Sequence, residues 1–400
     1  MLRNEASALI LEKISRFFTP RVLPFFAPLR KGRLRQNDRK WNDSNAANHS
    51  LFMANSLTFL LLYLLAASIL TFLIIPFYIR FLYRHNLGKK IREEWLVGKA
   101  TEFAKLHAGK IGTPTMWGGV ILITVAILVI LSIFLQAFSK ELWFDLNYSL
   151  LNRKETYLAL FTLFTVWAIG LVDDYLNIRE IGRTKGLSAR VKLILLFLFS
   201  ALGAYWFYFK LGYTDITVPF LGNISLGILY IPLFVLIIAT MANSVNITDG
   251  LDGLAGGLLL FNYALYAFIT YDQGLNILSA LCLIICGSLI GFLWWNIKPA
   301  KFIMWDIGSL SLGATLAIMA MMTDTLIVLL ITSAPFWLEL ISVIIQITSK
   351  KCRKGKKVFR IAPFHHHLEA IGWDEETIVM KFWLVGMILT VVWAVVSQLI

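Results

Sequence analysis

The feature that most limits the fold of this chain is a series of long apolar runs separated by short polar connections. A helix that spans a bilayer needs roughly 20 apolar residues. Runs that meet this need lie near residues 56–83, 115–138, 156–172, 191–210, 224–242, 253–270, 275–295, 307–322, 325–347 and 377–399. Charged residues make up only 15% of the chain, whereas soluble domains have about 25%. The sequence therefore predicts an all-α polytopic integral membrane protein with about ten transmembrane helices.

The distribution of Lys and Arg predicts the orientation of these helices. Basic residues are concentrated in the connections that follow the odd-numbered runs, above all in 84–110, 179–192 and 350–360. Short loops rich in Lys and Arg stay in the cytoplasm. We therefore expect the odd connections to be cytoplasmic and both chain ends to face outward. We expect the basic loops to contact membrane lipids and no nucleic acid.

Residues 1–52 form a basic extension that precedes the predicted ten-helix domain at 53–400. Such an extension resists translocation, which conflicts with an outward N-terminus. Two explanations remain open. Residues 7–18 form an interfacial helix with apolar residues on one side, or the biological start is later, at Met53. N-terminal sequencing of the native protein separates the two.

Acidic, amide and histidine residues gather in the odd connections. They are Asp173 and Asp174 after the third run, Asn243, Asn246, Asp249 and Asp252 after the fifth, Asn296 and Asp306 after the seventh, and His365, His366 and His367 after the ninth. Ionisable groups beside a bilayer core are costly and mark functional sites. Because the odd connections share one face, we expect these residues to meet in a cytoplasmic active-site cleft.

The residue types in this predicted cleft indicate phosphoryl transfer. Several carboxylates at one place repel one another and need a cation or a proton. Oxygen-rich sites of this kind suit Mg²⁺, which also takes substrate phosphates. Lys110, Lys185 and Lys192 lie nearby in sequence and suit anionic oxygens. These are the parts used in phosphoryl transfer, and a site at the bilayer edge implies a lipid substrate.

The same residues allow other interpretations. Asp306 can serve as a helix N-cap, and the histidine triplet can be a solvated loop. The whole set can also be the ion site of a coupled transporter. Transporters, however, place their sites near the bilayer midplane, whereas these clusters lie at helix ends.

Several motifs resemble one enzyme family. The segment Asn-Ser-Val-Asn-Ile-Thr-Asp-Gly-Leu-Asp-Gly-Leu-Ala at 243–255 resembles the signature of the polyprenyl-phosphate N-acetylhexosamine-1-phosphate transferases, and 171–175 resembles their paired-Asp motif. Ala-Pro-Phe-His-His-His-Leu-Glu at 362–369 is similar to the mark of one branch, the phospho-N-acetylmuramoyl-pentapeptide transferases. The resemblance covers roughly residues 56–399.

The resemblance implies a concrete reaction. Such enzymes transfer phospho-MurNAc-pentapeptide from UDP-MurNAc-pentapeptide to undecaprenyl phosphate, which gives lipid I and UMP. It also implies a bacterial cytoplasmic (inner) membrane enzyme that uses Mg²⁺ and commonly forms a homodimer. The alternative within the family is a transferase for UDP-GlcNAc or a related sugar, against which the histidine triplet argues.

The resemblance also assigns roles to residues. Asp173, Asp174 and Asp306 match catalytic carboxylates, and Asp306 and Asp249 match metal ligands. Substrate binding is implied for Lys110, Lys185, Lys192, Asn243, Asn246, Asp249, Asp252, Asn296, His365, His366 and His367.

Two segments depart from the pattern of the family. Trp117 is an apparent insertion, and Ile303-Met304-Trp305-Asp306 stands where the family usually has Phe-Met-Gly-Asp. An aromatic residue there is expected to stack on uracil, a role that then falls to Phe302 or Trp305.

Overall fold

The computed structural model describes the backbone of residues 36–85, 94–95, 98–99, 118–139, 150–151, 154–181 and 186–396. Side chains are described in 57–85, 118–136, 150–151, 156–181 and 186–396. The predictions made for residues 7–18, Lys110, Trp117 and Lys185 lie outside these ranges. By its internal contacts the chain divides into two compact units, Met1–Thr58 and Phe59–Ile400.

Helices make up most of the described part of the chain. They are α1 Gln36–Arg84, α2 Gly118–Ser139, α3 Lys154–Ile178, α4 Ala189–Tyr205, α5 Tyr230–Thr248, α6 Leu254–Asp272, α7 Asn276–Asn296, α8 Trp305–Met322, α9 Leu326–Thr332, α10 Ala334–Cys352, α11 Phe364–Ala370 and α12 Glu375–Val396. A π-helical turn, Trp206–Lys210, continues α4, and a 3₁₀ turn, Gly227–Leu229, precedes α5. Two antiparallel hairpins pair β1 Glu94–Trp95 with β2 Gly98–Lys99, and β3 Asp215–Val218 with β4 Gly222–Ser225.

The helices confirm the predicted membrane architecture. Within the described residues, nine helices are long and apolar enough to span a bilayer, and a tenth span results if α9 and α10 count as one. These two helices meet at an angle of 74°. Asn262 of α6 accepts hydrogen bonds at this break from Thr332 at 2.9 Å and Ser333 at 3.4 Å. Such bonds satisfy polar groups where a break lies inside a protein at membrane depth.

Two helices extend further than the hydropathy predicted. α3 continues to Ile178 rather than 172, and α5 continues to Thr248 rather than 242. The polar residues assigned to connections, among them Asp173 and Asn246, therefore lie in the last turns of helices. Hydropathy locates the end of an apolar run, whereas a helix continues as long as its backbone hydrogen bonds are made.

The centre of the bundle is formed by α6, α7 and α8. In the most apolar window of each helix, 83% of residues are buried in α7 and in α8, against 22% in α1 and 28% in α12. The outer helices expose Leu, Ile and Phe side chains, among them Leu65, Phe77 and Ile388. Such apolar surfaces are stable against lipid tails, so the peripheral helices face the bilayer and the central helices form the core.

A glycine brings α3 against the start of α8. A Cβ atom added at Gly170 would lie 2.6 Å from the carbonyl oxygen of Asp306 and 2.7 Å from the Cα of Ile307. A side chain of any size would therefore push the two backbones apart. Asp173 and Asp174 follow one turn later on α3, so this contact places them beside the first turn of α8.

Candidate active site

Three carboxylates meet where α3 packs on α8. One oxygen each of Asp173, Asp174 and Asp306 lies within 4.8 Å of the others, and the first two side chains are fully buried. Asp174 Oδ2 accepts the backbone N–H of Ile307 at 3.1 Å. Its Oδ1 is buried with no hydrogen-bond partner among the described residues. An unsatisfied buried oxygen is costly, so the cluster is suited to receive a cation or a proton.

Lys192 bridges this cluster from the first turn of α4. Its Nζ donates to Asp173 Oδ2 at 2.9 Å and to Asp306 Oδ2 at 2.6 Å. Ser188 caps the helix by accepting the N–H of Val191 at 3.3 Å, which fixes the turn that carries the lysine. One ammonium group can balance the charge of only one carboxylate, so the other two need a cation or a proton.

Asp173 also ties α3 to the segment that leads into α4. Its Oδ1 accepts the backbone N–H of Leu187 at 2.6 Å, and Asn177 donates to its Oδ2 at 3.4 Å. These donors fix the orientation of a carboxylate that faces Asp306.

The end of α5 contacts the first turn of α8 from the other side. Asn246 donates to Asp306 Oδ1 at 2.7 Å and to Ser309 Oγ at 2.9 Å. Asp249 Oδ2 accepts the backbone N–H of Trp305 at 2.8 Å. The N-cap position of α8 is Met304, so the N-cap interpretation of Asp306 was wrong. Its oxygens face Lys192 and Asn246 instead.

The arrangement of carboxylates fits a hard divalent cation, whose preferred ligands are oxygens. The resemblance paired Asp306 with Asp249 for this purpose. The structure groups Asp306 with Asp173 and Asp174, and Oδ2 of Asp249 accepts a backbone N–H. Mg²⁺ binding stays a prediction, and the three clustered carboxylates are the ligands that the geometry favours.

Asp252 and Asn296 lie in a second group, beyond Asp249. Asn296 accepts the N–H of Gly253 and donates to the carbonyl oxygen of Phe302, both at 2.9 Å. Asp252 Oδ2 accepts the N–H of Ala300 at 3.1 Å. Both side chains are buried, so they hold the 249–253 turn against the segment 297–304.

The hydrogen bond of Asn243 lies outside both groups. The residue lies one helical turn before Asn246 and donates to the carbonyl oxygen of Ala239 at 2.7 Å. A bond to the preceding turn of its own helix explains how this amide is accommodated within α5. Its predicted substrate contact stays a prediction.

The histidine triplet lies on the short helix α11, so the solvated-loop interpretation was wrong for its first two members. His365 and His366 are buried. His365 Nδ1 lies 3.0 Å from Oε2 of the fully buried Glu339, and His366 Nδ1 lies 2.6 Å from Glu369 Oε2. A Cβ added at Gly250 would touch Nε2 of both imidazoles. The two rings therefore face the turn that follows α5.

His367 is placed differently from its two neighbours. Its ring centroid lies 5.4 Å from that of Phe359 and 6.0 Å from that of Phe364. Its Nδ1 accepts the N–H of Arg360 at 3.3 Å. The contacts of His367 are thus with the loop between α10 and α11.

Glu339 is a site residue that the sequence analysis missed. Both of its oxygens accept the backbone N–H of His365 at 3.2 Å, and the side chain of Glu339 has no exposed surface. It is a lone carboxylate in the apolar run 325–347. An ionisable residue inside a predicted span is itself a signal of function, so this residue was open to discovery from sequence.

The segment that departs from the family pattern is now placed. Phe302 is fully buried and packs on Phe292 at a centroid distance of 5.6 Å. Trp305 is half-buried, has φ of +56°, and packs against Leu82, Ile178 and Ile307. Positive φ favours glycine, the residue that the family usually has here. Of the two aromatic candidates, Trp305 is the one with accessible surface, and it lies on the α3 side.

Comparison with known proteins identifies the family of the chain. The family model of Glycosyl transferase family 4 matches residues 156–324. The phospho-N-acetylmuramoyl-pentapeptide-transferase of Dichelobacter nodosus is 37% identical over 334 residues, which cover 78% of this chain and 86% of that protein. The protein of the same name from a Geobacillus species is 36% identical and covers 82% of this chain and 95% of its own length. The chain therefore belongs to the family of phospho-N-acetylmuramoyl-pentapeptide transferases.

Proposed function

We propose that this protein transfers phospho-MurNAc-pentapeptide from UDP-MurNAc-pentapeptide to undecaprenyl phosphate, which forms lipid I and releases UMP. The name of its relatives supports phospho-N-acetylmuramoyl-pentapeptide as the transferred group. The observation that carries the proposal is the position of Lys192 between Asp173 and Asp306. A positive charge placed among carboxylates can stabilise the negative charge of phosphate groups during their transfer.

We place the site at the cytoplasmic face of a bacterial cytoplasmic membrane. The support is the basic character of the connections on the same side as the cluster, because Lys and Arg stay inside. The donor is then taken from the cytoplasm and the acceptor from the bilayer. A homodimer is part of the proposal and is tested by the mass of the protein in lipid nanodiscs.

The reaction forms one bond and breaks one. An oxygen of the lipid phosphate attacks the sugar-linked phosphorus of the donor, and the bond from that phosphorus to the bridging oxygen breaks as UMP leaves. The second pKa of a phosphate monoester is about 6, so the acceptor is already ionised at neutral pH. Asp173, which its hydrogen bonds hold in one orientation, therefore contributes more by positioning than by removing a proton.

Asp173, Asp174 and Asp306 are the residues that would hold Mg²⁺. A bound Mg²⁺ supplies neutralisation of charge on the diphosphate oxygens. Lys192 adds a fixed positive charge at the same place. Lys110 and Lys185 remain the predicted partners of further anionic oxygens.

The remaining residues form the donor side of the site. Asn246 and Asp249 lie beside Asp306, and Asp252 and Asn296 lie in the group beyond them. We assign the diphosphate to the first pair and the nucleoside to the second. His365 and His366 place their Nε2 atoms beside Gly250. Because Nδ1 of His366 donates to the carboxylate of Glu369, Nε2 of the neutral ring can accept a hydrogen bond from a sugar hydroxyl.

Direct displacement is the route that the geometry favours. Both oxygens of Asp173 accept hydrogen bonds, which weakens this carboxylate as a nucleophile. The competing route passes through an aspartyl-phosphate. Incubation with donor and labelled UMP, without acceptor, separates the two. Exchange of label into the donor supports the two-step route, and its absence supports direct displacement.

A reconstitution experiment tests the proposed function. Purified protein in lipid receives Mg²⁺, undecaprenyl phosphate and UDP-MurNAc-pentapeptide, and UMP and the lipid product are measured. UDP-GlcNAc serves as the control donor. We expect UMP from the first donor only. Release from UDP-GlcNAc alone would move the chain to the other substrate class, and no release from either would overturn the proposal.

A further inference from the structure

The first residue of the last transmembrane helix contacts the nucleoside end of the site. Glu375 Oε1 accepts the backbone N–H of Asp252 at 2.9 Å. Its Oε2 lies 3.4 Å from Nζ of Lys298, and only 7% of its side chain is exposed. The carboxylate thus joins the helix start to two loops, the 249–253 turn and the segment 297–304. A charge-assisted bond to a backbone N–H is stronger than a neutral one.

A second side chain of the same helix contacts the next residue of that turn. Trp383 lies about two turns further along α12, and its Nε1–H donates to the carbonyl oxygen of Gly253 at 3.2 Å. The indole also packs directly on Gly257, where an added Cβ would overlap the ring. Two points of α12 therefore support the turn from outside the site.

The turn depends on these side chains for its position. Gly253 has φ of +81° and is the N-cap of α6, with no side chain of its own to cap the helix. Its N–H is accepted by Asn296. Side chains from α7 and α12 therefore satisfy both backbone groups of Gly253 and the N–H of Asp252. Backbone groups buried without such partners are costly, so the side chains select one conformation of the turn.

We propose that Glu375, together with Trp383, is a positioning residue for the nucleotide end of the donor. It acts through the backbone of Asp252 and Gly253 and touches no reacting atom. The inference rests on the proposed function for the identity of the ligand, whereas the contacts that it uses are independent of that function. Loss of Glu375 is expected to weaken donor binding and to leave acceptor binding and the chemical step largely intact.

Lys298 completes the arrangement outside the membrane-spanning segments. Burial lowers the pKa of this lysine, but its hydrogen bond to Glu376 and the charges of Glu375 and Glu376 together raise it above the usual value. The lysine is therefore charged at neutral pH and compensates the buried carboxylate of Glu375. Acidic residues at a helix start also interact favourably with the helix dipole, a purely structural role that the test must separate from positioning.

Glu376 supplies a matched control. It is the next residue of α12, carries the same charge and lies 3.0 Å from Nζ of Lys298, but 60% of its side chain is exposed. Glu376→Gln therefore makes the same change in charge at the same helix start. For Trp383→Phe, which removes only the N–H donor, Trp393→Phe further along α12 is the corresponding control.

Two measurements on the full chain in lipid or detergent test the inference. Hydrogen exchange of a peptide spanning 249–257 reports the turn itself, with or without substrate. Steady-state UMP release gives kcat and the KM of each substrate. For Glu375→Ala we expect faster exchange and a donor KM raised about 10-fold, in line with the loss of one buried charged hydrogen bond. The KM for undecaprenyl phosphate should change by less than about twofold, which is the scatter expected of surface substitutions.

The conservative variant separates positioning from general stability. The amide oxygen of Glu375→Gln can still accept the N–H of Asp252, so we expect a donor KM closer to wild type than that of the alanine variant. Glu376→Gln should leave exchange and donor KM unchanged. A drop in kcat with unchanged donor KM in Glu375→Ala would overturn the inference, as would unchanged exchange at 249–257. If the wild-type protein releases no UMP, the proposed function fails, and hydrogen exchange still decides whether Glu375 holds the turn.

Discussion

Nζ of Lys192 lies 2.6 Å from Oδ2 of Asp306, a residue 114 positions further along the chain. The same ammonium group contacts Asp173, so α4, α8 and α3 are joined by one side chain. The ammonium group of Lys192 thus holds the site together, and the same positive charge can bind substrate phosphates. This relationship makes Lys192 the first residue to test.

We expect Lys192→Met to lower kcat about 100-fold or more, because loss of a preorganised electrostatic contact to a transition state costs on this order. The measurement is steady-state UMP release at saturating substrates. Lys301→Met, in which an exposed lysine is lost, is the control and should retain wild-type turnover. Near-normal kcat in the Lys192 variant would remove this residue from the catalytic machinery.

The metal ligands can be separated by titration with Mg²⁺. EDTA should abolish UMP release, and Mg²⁺ should restore it. Because Asp174 lies in the three-carboxylate cluster and Asp249 does not, Asp174→Asn should raise the Mg²⁺ concentration for half-maximal activity at least about 10-fold, as loss of even outer partners of a metal does. Asp249→Asn should raise the donor KM instead. If Asp249→Asn raised the Mg²⁺ requirement and Asp174→Asn raised the donor KM, Asp249 would be assigned to the metal site.

Glu339 is expected to hold His365 in place. Both side chains are fully buried, and a buried polar group that is left without its hydrogen-bond partner destabilises a protein by about 1–3 kcal/mol. Glu339→Ala should therefore lower the thermal transition in detergent and reduce turnover, whereas Glu339→Gln retains an acceptor for the N–H of His365 and should lose less. Asp272→Asn, at an exposed helix end, is the control. Equal effects of the two Glu339 variants would argue against an acceptor role.

Gly170 is expected to be intolerant of substitution. Its missing side chain admits the backbone of Asp306 and Ile307, and overpacking of a tight contact costs about 1–3 kcal/mol. Gly170→Val should lower both the unfolding temperature and the turnover, because it moves α8 relative to Asp173 and Asp174. At Gly203 an added Cβ would lie 3.0 Å from a ring atom of Phe234, a contact that is less close than those at Gly170 and involves a side chain rather than backbone. Gly203→Val should therefore cost less than Gly170→Val, and a similar loss in both variants would contradict the special role of Gly170.

The membrane architecture was predictable from sequence because the apolar runs are long and continuous. All ten predicted runs overlap helices of the structure, including the run at 325–347, which is broken at Ser333. The break was hidden because α9 and α10 are both apolar, and hydropathy does not register a bend. The predicted ends of α3 and α5 were too early, because Asp173 and Asn246 lower the hydropathy without ending the helix.

The residue types of the candidate site were also predictable, whereas their partners were not. The resemblance assigned Asp306 and Asp249 to the metal, which stays a prediction, and the structure adds that Asp306 is clustered with Asp173 and Asp174. Glu339 and Glu375 were missed, although both contact residues that the motifs had identified. A motif identifies its own residues, and it does not reveal which side chains of other helices hold them.

The sequence alone determined that this chain crosses a membrane about ten times and that carboxylates, amides and histidines lie at helix ends on one side. These are local properties, set by the cost of burying polar groups in lipid and by the spacing of residues along the chain. The tertiary structure decided that Lys192 bridges Asp173 and Asp306, and that Glu375 holds a turn 123 residues earlier. Contacts over such separations depend on how closely helix backbones approach, which the packing of residues such as Gly170 fixes.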